Sequence, residues 1–424
     1  MLTELNEPFV RRVQIRNYKS IAKCDLQLGR FNLLVGRNGS GKSNFLDALR
    51  FIADGLQTSL DHAMKSRGGT DGVRRRSTGH PHNIALQLEL NLPGGKIAEY
   101  GFEISAQPKR GFAVKREQLR IFAAANGEIL DGFSIADGAI QGAGKQHLGT
   151  EPAHSLFPNA PPPSMPPVSP DRLYLVTAAG LPQFRSVYDG LSTMGFYTLN
   201  PEQMKEVQSP DAGEILRRDG SNIASVVARL SEDRQDLKDR IREYLQQIVP
   251  DIEDFNRVQL SHRETLEFRQ KVKGSEHPWS FYAASMSDGT LRTLGVLVAT
   301  MQLADRTNPI RLVGIEEPET ALHPHAAGAL MDALREAATS TQVLVTTHSP
   351  DLLDRFDSTT DTLLSVVGHQ GRTEIGKVDE ASLSAMKDHL FTAGQLLRMD
   401  QLEPDPKALA TQKELVFPEF NAKL

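Results

Sequence analysis

Apolar and polar residues alternate in the first part of this chain. Residues 10–21 alternate between the two, and residues 31–35 form a continuous apolar run before a glycine-rich loop. Alternation predicts half-buried strands, and a short apolar run predicts a buried strand. We therefore expect two or three strands within residues 10–35, followed by a helix over about residues 42–53.

Alternation returns in residues 84–122, where the turn sequences PGG and PKRG separate the alternating stretches. This arrangement predicts a β-meander. Residues 151–170 are rich in proline, which lacks a backbone N–H, so we expect an exposed loop there.

The apolar spacing changes to a helical period in residues 223–249, which predicts a short helical insert. In the last third we expect helices near residues 291–304, after Pro324 and at Asp351, with strands at residues 311–315 and 342–346. The fold class is therefore α/β, with a mixed sheet and an N-terminal β-meander lobe. The expected parts are residues 1–150, 151–280 and 281–400, and a loosely held polar tail over residues 401–424.

Composition narrows the classes of protein. With 39% hydrophobic and 24% charged residues, the chain is of the globular type. No apolar run reaches the roughly 18 residues that span a bilayer, and the first residues are acidic where a secretory signal is basic. The single cysteine, Cys24, cannot form an internal disulfide. We expect a cytoplasmic protein with no membrane partner.

The net charge of −5 gives no overall attraction to nucleic acid, so contact with DNA would need local basic patches. Solvated loop and strand faces explain basic stretches more often than phosphate contacts do. The first stretch has Lys65, Arg67, Arg74, Arg75 and Arg76, and the second has Lys109, Arg110, Lys115, Arg116 and Arg120.

Residues 36–43, GRNGSGKS, fit the pattern G-x-x-x-x-G-K-[ST] between a predicted strand and a predicted helix. In such a loop the backbone N–H groups and the helix start surround phosphate groups. Lys42 would reach the β- and γ-phosphates, and the Ser43 hydroxyl would bind Mg²⁺. A chance match in a chain of this length is on the order of a few per cent, so ATP and Mg²⁺ are the predicted cofactors.

Residues 311–319, RLVGIEEPE, form an apolar run that ends in carboxylates. Parallel sheets place ligands at this end of their strands. Glu316 would hold the Mg²⁺, and Glu317 would act as the general base on the attacking water. A strand with a solvated acidic turn explains this stretch equally well when it is considered alone.

Two further elements complete the set. His348 follows the predicted strand at residues 342–346 and can bond the γ-phosphate, although a loop histidine is usually just solvated. Residues 285–290, SMSDGT, precede an apolar helix and could be only a capping turn. The order Walker A, serine–glycine signature, Walker B and histidine separates ABC ATPases from other P-loop enzymes, and all four elements occur here in that order.

With these motifs the chain resembles the SMC/RecF/OLD branch of ABC-type ATPases, and more closely its small prokaryotic members without a long coiled coil. The resemblance rests on IRNYKSI, GRNGSGKSNFLDAL, SMSDGTLRTL, GIEEPETALHP and VTTHSP, and it extends to FYTLNPEQ and LRRDGSN in the middle of the chain. It implies a P-loop NTPase head of the ABC type that forms a homodimer around two ATP molecules.

By this resemblance Ser287 and Gly289 of one subunit would contact the γ-phosphate held by Lys42 of the other, and residues 319–324 would form the D-loop. Catalysis would depend on Glu317, Lys42 and His348. The implied ATP-binding residues are Asn38, Gly39, Ser40, Gly41, Lys42, Ser43, Asn44, Ser287, Asp288 and Gly289, and the implied metal ligands are Ser43 and Glu316.

The sequence departs from the family pattern in three ways. Glu316 stands where many ABC proteins have Asp. No Q-loop glutamine is evident, with Gln183 and Gln118 as candidates. No TOPRIM nuclease pattern follows His348. His323 and His325 are expected to be loop and helix-start residues rather than metal ligands.

The leading hypothesis is an ATP-driven dimeric switch that acts on DNA or on a DNA-acting partner, in genome maintenance or phage defence, with an effector such as a nuclease supplied in trans. The rival is a scaffold that holds and releases a protein effector without touching DNA. A transporter subunit is disfavoured, because transporter domains usually read GxSGSGKST and LSGGQ.

Overall fold

A computed structural model of the protein describes residues 7–76, 83–107, 111–143, 165–302 and 309–414. Within these ranges one mixed sheet has the strand order β8-β7-β6-β5-β4-β1-β2-β16-β15-β3-β14-β13-β9, and a small sheet has the order β10-β11-β12. The strands are β1 (Val10–Tyr18), β2 (Ile21–Gln27), β3 (Phe31–Val35), β4 (Ile84–Leu92), β5 (Lys96–Gln107), β6 (Gly111–Ala123), β7 (Ile129–Ala136), β8 (Ala139–Ala143), β9 (Gly195–Tyr197), β10 (Ile252–Leu260), β11 (Arg263–Gln270), β12 (Trp279–Tyr282), β13 (Leu312–Glu316), β14 (Gln342–Thr347), β15 (Asp361–His369) and β16 (Arg372–Lys377).

The helices are distributed along the chain between the strands, and several are only one turn long. They are α1 (Lys42–Gln57), α2 (Leu60–Lys65), α3 (Thr70–Val73), α4 (Tyr174–Ala178), α5 (Pro182–Ser192), α6 (Pro201–Lys205), α7 (Ile223–Asp233), α8 (Gln235–Ile248), α9 (Asp288–Met301), α10 (Ala327–Ala338), α11 (Pro350–Leu353), α12 (Glu380–Lys387), α13 (Ala393–Arg398) and α14 (Pro406–Glu414).

The parallel part of the sheet positions the predicted motifs. Strand β3 pairs in parallel with β14 and β15, β14 pairs with β13, and β13 pairs with β9. Thr347 lies opposite Val35, and Thr346 lies opposite Glu316. Because parallel strands share one carboxyl edge, the loops after β3, β13 and β14 all emerge there.

The antiparallel part confirms the β-meander and extends it beyond the expected end, through β7 and β8 to Ala143. Its buried face packs on α1 through rings that include Tyr18, Phe51 and Phe102. Glu117 on β6 is also buried, and it accepts hydrogen bonds from the backbone N–H groups at the start of α4. The expected basic residues Lys109 and Arg110 lie outside the described residues.

Residues 223–249, where we expected a short helical insert, form the helices α7 and α8. Arg234 ends α7 and precedes α8, so the long helical pattern is two helices. These helices pack against the three-stranded antiparallel sheet β10-β11-β12, which the sequence reading missed. Of the proline-rich stretch, residues 151–164 lie outside the described residues, and residues 165–169 form no helix or strand.

The tail differs from the loose segment that we expected. Helix α14 packs on β16 and β2, and the Gln412 side chain donates hydrogen bonds to the carbonyl oxygens of Asp25 at 3.1 Å and Ile375 at 3.0 Å. Residues 415–424 are not among those described. Across the described ranges, no helix has the length and apolar character needed to cross a membrane.

Candidate active site

The loop between β3 and α1 holds the expected phosphate-binding motif. It runs from Gly36 to Gly41, and the helix begins at Lys42. Asn38 and Gly39 are exposed at its tip, and a Cβ at Gly39 would meet nothing within 4 Å. The outer side of the loop is therefore open, as a phosphate site requires.

The other side of the loop is closed by the β15–β16 hairpin. Gly41 has a φ of 109°, and a Cβ there would lie 2.0 Å from the Thr373 hydroxyl oxygen. That hydroxyl donates to the Ser40 carbonyl oxygen at 2.8 Å. Only glycine fits this backbone and this contact. Among the described residues the buried Ser40 hydroxyl has no hydrogen-bond partner, a vacancy that suits a polar ligand.

Lys42 is folded back into the loop. Its Nζ donates to the carbonyl oxygens of Gly36 at 2.7 Å and Arg37 at 3.1 Å. Burial lowers the pKa of the ammonium, and the nearby carboxylates, of which Glu317 acts most strongly, oppose that shift. Within the described part of the chain its partners are neutral carbonyls, so its charge is available to phosphate groups.

Ser43 and Glu316 meet at the carboxyl edge of the sheet. The Ser43 hydroxyl donates to Glu316 Oε2 at 2.8 Å. A hydroxyl and a carboxylate are oxygen ligands of the kind that Mg²⁺ binds, together with phosphate oxygens and water. No cluster of three or more His, Cys, Asp or Glu that could hold a metal occurs in the described residues. The pair fits a magnesium ion whose other ligands would come from ATP and water.

Glu317 turns out of strand β13. Its backbone is left-handed, with a φ of 46°, and its N–H donates to the Thr346 carbonyl oxygen at 2.9 Å. The turn brings Glu317 Oε1 to 3.0 Å from His348 Nδ1. A left-handed conformation costs a non-glycine residue about 1–3 kcal/mol, and such strain is concentrated at functional sites.

A third carboxylate, Glu319, lies behind this pair. Thr347 donates from its hydroxyl to Glu319 Oε1 at 2.5 Å, and burial raises the pKa of the Glu319 carboxyl. The sequence reading placed Glu319 in the D-loop without assigning it a role. Its contact with Thr347 holds the residue next to His348, so Glu319 positions the histidine loop.

The serine–glycine signature lies at the start of α9. Ser287 Oγ caps the helix by accepting from the Thr290 N–H at 3.1 Å. Asp288 forms an ion pair with Lys205 at 2.6 Å, and a Cβ at Gly289 would lie 2.4 Å from the Ala321 carbonyl oxygen. Ser287 and Asp288 are exposed.

Other expected contact residues are engaged within the chain. The Asn44 amide donates to the Ser20 hydroxyl at 2.6 Å, in the turn between β1 and β2. His323 and His325 contact each other through Nδ1 atoms 2.8 Å apart, at a 3₁₀ turn before α10. This agrees with their expected place at a loop and helix start.

Two residues beside Glu316 were missed. Thr198 follows β9, the strand next to β13, and its hydroxyl donates to Glu316 Oε1 at 3.3 Å. Arg218 donates to the same hydroxyl at 3.1 Å. Thr198 belongs to FYTLNPEQ, and Arg218 belongs to LRRDGSN. The family resemblance extends to both segments, so the sequence did carry a signal for these two residues.

The two glutamines considered for the Q-loop lie elsewhere. Six strands separate β6, which carries Gln118, from β3. Gln183 lies in the first turn of α5.

This sheet order, with a phosphate loop and paired carboxylates at its carboxyl edge, is that of an ABC-type P-loop ATPase head. The family described as "AAA domain, putative AbiEii toxin, Type IV TA system" matches residues 31–122 and 197–354, more than half of the chain. The chain belongs to this family, and it is an ATP-hydrolysing enzyme of the SMC/RecF type.

Individual relatives match smaller parts. The chain is 34% identical over 91 residues to the DNA replication and repair protein RecF of Gloeobacter violaceus, covering 21% of this chain and 24% of that protein. It is 33% identical over 105 residues to RecF of Photorhabdus laumondii, covering 21% and 29%. The chain thus matches less than a third of the length of these relatives.

The fold has a wider match. The crystal structure of the SmcHead bound to the C-winged helix domain of ScpA is similar with a TM-score of 0.50 and 14% identity. The match covers 89% of this chain and 100% of that chain. At this identity the likeness concerns the fold alone.

Proposed function

We propose that the protein is an ATP-driven dimeric switch in which two copies pair face to face and each ATP lies between the P-loop of one copy and the signature of the other. The observation that carries the proposal is the exposed start of α9. Ser287 and Asp288 face solvent there, while their contacts within the chain go to Thr290 and Lys205. The start of a long helix is the positive end of its dipole, which suits an anion brought by a second copy.

In this proposal each residue at the carboxyl edge has one task. Lys42 neutralises the β- and γ-phosphates, and Ser43 with Glu316 holds Mg²⁺. Glu317 accepts the proton of the attacking water, and His348, 3.0 Å from it, orients that carboxylate beside the γ-phosphate.

Subunit mixing tests the shared site. Ser287→Arg blocks the signature while leaving the P-loop intact, so this variant should bind ATP normally and hydrolyse almost none. Adding Lys42→Ala subunits should restore part of the activity, because one interface of the mixed dimer then combines an intact P-loop with an intact signature. The other interface carries both defects, so the recovery is partial.

Ser280→Arg is the matched control, because it adds the same charge at an exposed position on β12. It should keep the hydrolysis rate of the natural sequence. Full activity of Ser287→Arg alone, measured by phosphate release, would show that the site is not shared between subunits.

We further propose that the switch acts on DNA or on a DNA-acting partner, as in genome maintenance or phage defence. The support is the RecF match and the basic stretches, of which Arg76 is exposed. Charge reversal at residues 74–76 should abolish salt-dependent binding to duplex DNA if this surface contacts phosphates.

One observation favours the rival, a scaffold that holds and releases a protein effector such as a nuclease. Arg67 is almost fully buried in an ion-pair network with Asp47 and Asp54, and Arg120 pairs with Glu99 at 2.7 Å. These cations are already neutralised by carboxylates. DNA binding that is absent at low salt, together with ATP-dependent capture of a protein, would support the scaffold.

The proposed parts of the chain remain residues 1–150, 151–280, 281–400 and 401–424, and the proposed location is the cytoplasm. Cys24, the single cysteine, is buried on β2, which is compatible with a reducing compartment.

A further inference from the structure

A cavity of about 360 Å³ lies at the amino edge of the large sheet. Arg30 directly precedes β3, Arg311 directly precedes β13 and Gln342 begins β14, and all three residues line the cavity. Because these strands are parallel, their starts lie at the edge opposite to the one that holds Ser43 and Glu316. The cavity is therefore separate from the proposed ATP site.

The two arginines flank the start of β14. The Gln342 N–H donates to the Arg311 carbonyl oxygen at 2.9 Å, and the Val343 N–H donates to the Arg30 carbonyl oxygen at 2.8 Å. Neighbouring strands lie about 4.8 Å apart, so the Cα atoms of the two arginines are about 10 Å from each other. Since both side chains line the same cavity, both guanidinium groups can contact one anion in it.

The charge of Arg311 is partly buried and is not neutralised. In the described part of the chain its guanidinium has no hydrogen-bond or ion-pair partner, and it lies over the Phe9 ring at 5.5 Å from the centroid. Arg30 donates to the carbonyl oxygens of Ala338 at 2.7 Å and Glu7 at 3.2 Å, which are neutral. Burial lowers the pKa of both arginines. A guanidinium stays protonated in proteins, so a desolvated one is costly until an anion pairs with it.

The surroundings of the arginines are mainly apolar and closely packed. Phe9 packs on α5, where a Cβ at Gly190 would lie 2.6 Å from Phe9 Cζ and 3.5 Å from Arg311 Cδ. Leu92 and Ile310 also line the cavity, and both are buried. Cavities of about 300–1,000 Å³ with apolar walls and a few polar groups are typical of small-molecule sites.

We infer that this cavity binds a small organic oxyanion, a carboxylate or a phosphate monoester, that carries an apolar group. Arg311 pairs with the oxyanion, and Arg30 is the second cation. The apolar group packs against Phe9, Leu92 and Ile310. The planar fork of a guanidinium matches the geometry of both carboxylate and phosphate. The inference is independent of the proposed dimeric switch, because none of these residues belongs to the P-loop or to the signature.

Phenyl phosphate and phenylacetate are suitable probes, because they distinguish the two kinds of oxyanion. Each is titrated by calorimetry into the full chain saturated with Mg²⁺ and AMP-PNP, since phosphate also suits the P-loop. We expect at least one of them to bind. Phenylacetamide has the same ring without the charge, so it should bind about 10- to 100-fold more weakly, as the loss of a charged hydrogen bond implies.

Substitution of the arginines assigns the binding to this cavity. Arg311→Gln should weaken binding of the probe by about 10- to 100-fold. Arg311→Lys keeps the charge without the planar fork, so its effect should be smaller. Arg30→Gln should also weaken binding, and it leaves the contact between Arg311 and Phe9 in place. Thermal unfolding of each variant checks that the fold is retained.

Arg185→Gln is the matched control. It makes the same change at an exposed arginine of α5 that pairs with Asp189 at 2.8 Å and does not line the cavity, so it should bind the probe like the natural sequence. Failure of both probes to bind, equal binding of phenylacetamide, or unchanged binding in Arg311→Gln and Arg30→Gln would overturn the inference. Inorganic phosphate that binds as tightly as phenyl phosphate would indicate an adventitious ion only and would also overturn it.

Discussion

At the P-loop edge, polar side chains from different strands and helices meet one another, whereas at the signature edge Ser287 bonds within its own helix. Ser43 on α1 donates a hydrogen bond to Glu316 on β13, and Glu317 contacts His348 in the loop after β14. At the signature edge, Ser287 caps its own helix. The P-loop edge thus brings distant parts of the chain together. The signature edge exposes the capped start of α9 to solvent.

The two edges also differ in whether their side chains already have partners within the chain. The P-loop edge has neutral carbonyls around Lys42 and strain at Glu317, so it gains from a ligand. At the signature edge, Ser287 and Asp288 already have partners within the chain. Substitutions test this difference, because they should affect binding, chemistry or stability separately.

The largest effect is expected from Lys42→Ala. Removing this ammonium leaves the phosphate groups without their principal cation, so ATP binding should weaken by on the order of 2–5 kcal/mol, the usual cost of removing one partner from a close charge pair. Calorimetry measures this directly. Lys65→Ala, on an exposed helix face where Lys65 pairs with Asp61, is the control and should bind normally. Unchanged micromolar affinity in Lys42→Ala would argue against the whole site.

Glu317→Gln should separate binding from chemistry. The amide keeps the shape of the carboxylate but cannot accept the proton of the water, so hydrolysis should slow about 10²- to 10⁴-fold while ATP still binds. The bound ATP should then hold two copies together. Gel filtration with ATP should show a larger species than the natural sequence without nucleotide, and a monomeric elution position would contradict the proposal.

The smallest effect concerns a glutamate far from both edges. Glu117 accepts hydrogen bonds from the N–H groups of Tyr174 at 2.5 Å and Leu175 at 2.9 Å, and from the Tyr100 hydroxyl at 3.0 Å. Burial nevertheless raises its pKa to about 7. The folded protein therefore keeps a proton that the unfolded chain loses, so the free energy of unfolding should fall as the pH rises from about 4.5 to about 7, by roughly 3 kcal/mol in total.

Glu117→Gln has no proton to lose, so it should remove this pH dependence even if it costs a hydrogen bond at every pH. Urea unfolding at pH 5 and at pH 7.5 measures the difference. Glu117→Gln should also keep hydrolysis close to that of the natural sequence, in contrast to Glu317→Gln. An unchanged pH slope in Glu117→Gln would show that Glu117 is ionised throughout this range.

The sequence predicted the elements whose signal is local. The loop at residues 36–43 has its own glycine spacing, and apolar runs mark the strands that end at Glu316 and just before His348. The contacts between Ser43 and Glu316, and between Glu317 and His348, follow once the parallel strands share an edge. Their roles in ATP binding and hydrolysis stay predictions until the substitutions are tested.

Other elements carry too little local signal to be predicted. Strand β9 has three residues, and only its pairing with β13 makes it a strand. The sheet β10-β11-β12 follows directly on the helical pattern of residues 223–249, and no strands were predicted for it. Arg67 was counted as part of a basic stretch, because its ion pairs with Asp47 and Asp54 depend on tertiary packing.

The position of β3 between β14 and β15 has a consequence for synthesis on the ribosome. Its neighbours lie about 300 residues later in the chain, and the Thr373 contact that closes the phosphate loop comes later still. The meander β4 to β8 pairs between consecutive strands and can form early, since local pairings require little loop closure. The nucleotide loop of the nascent chain must wait until the β15–β16 hairpin has left the exit tunnel, so ATP cannot assist the folding of the first half.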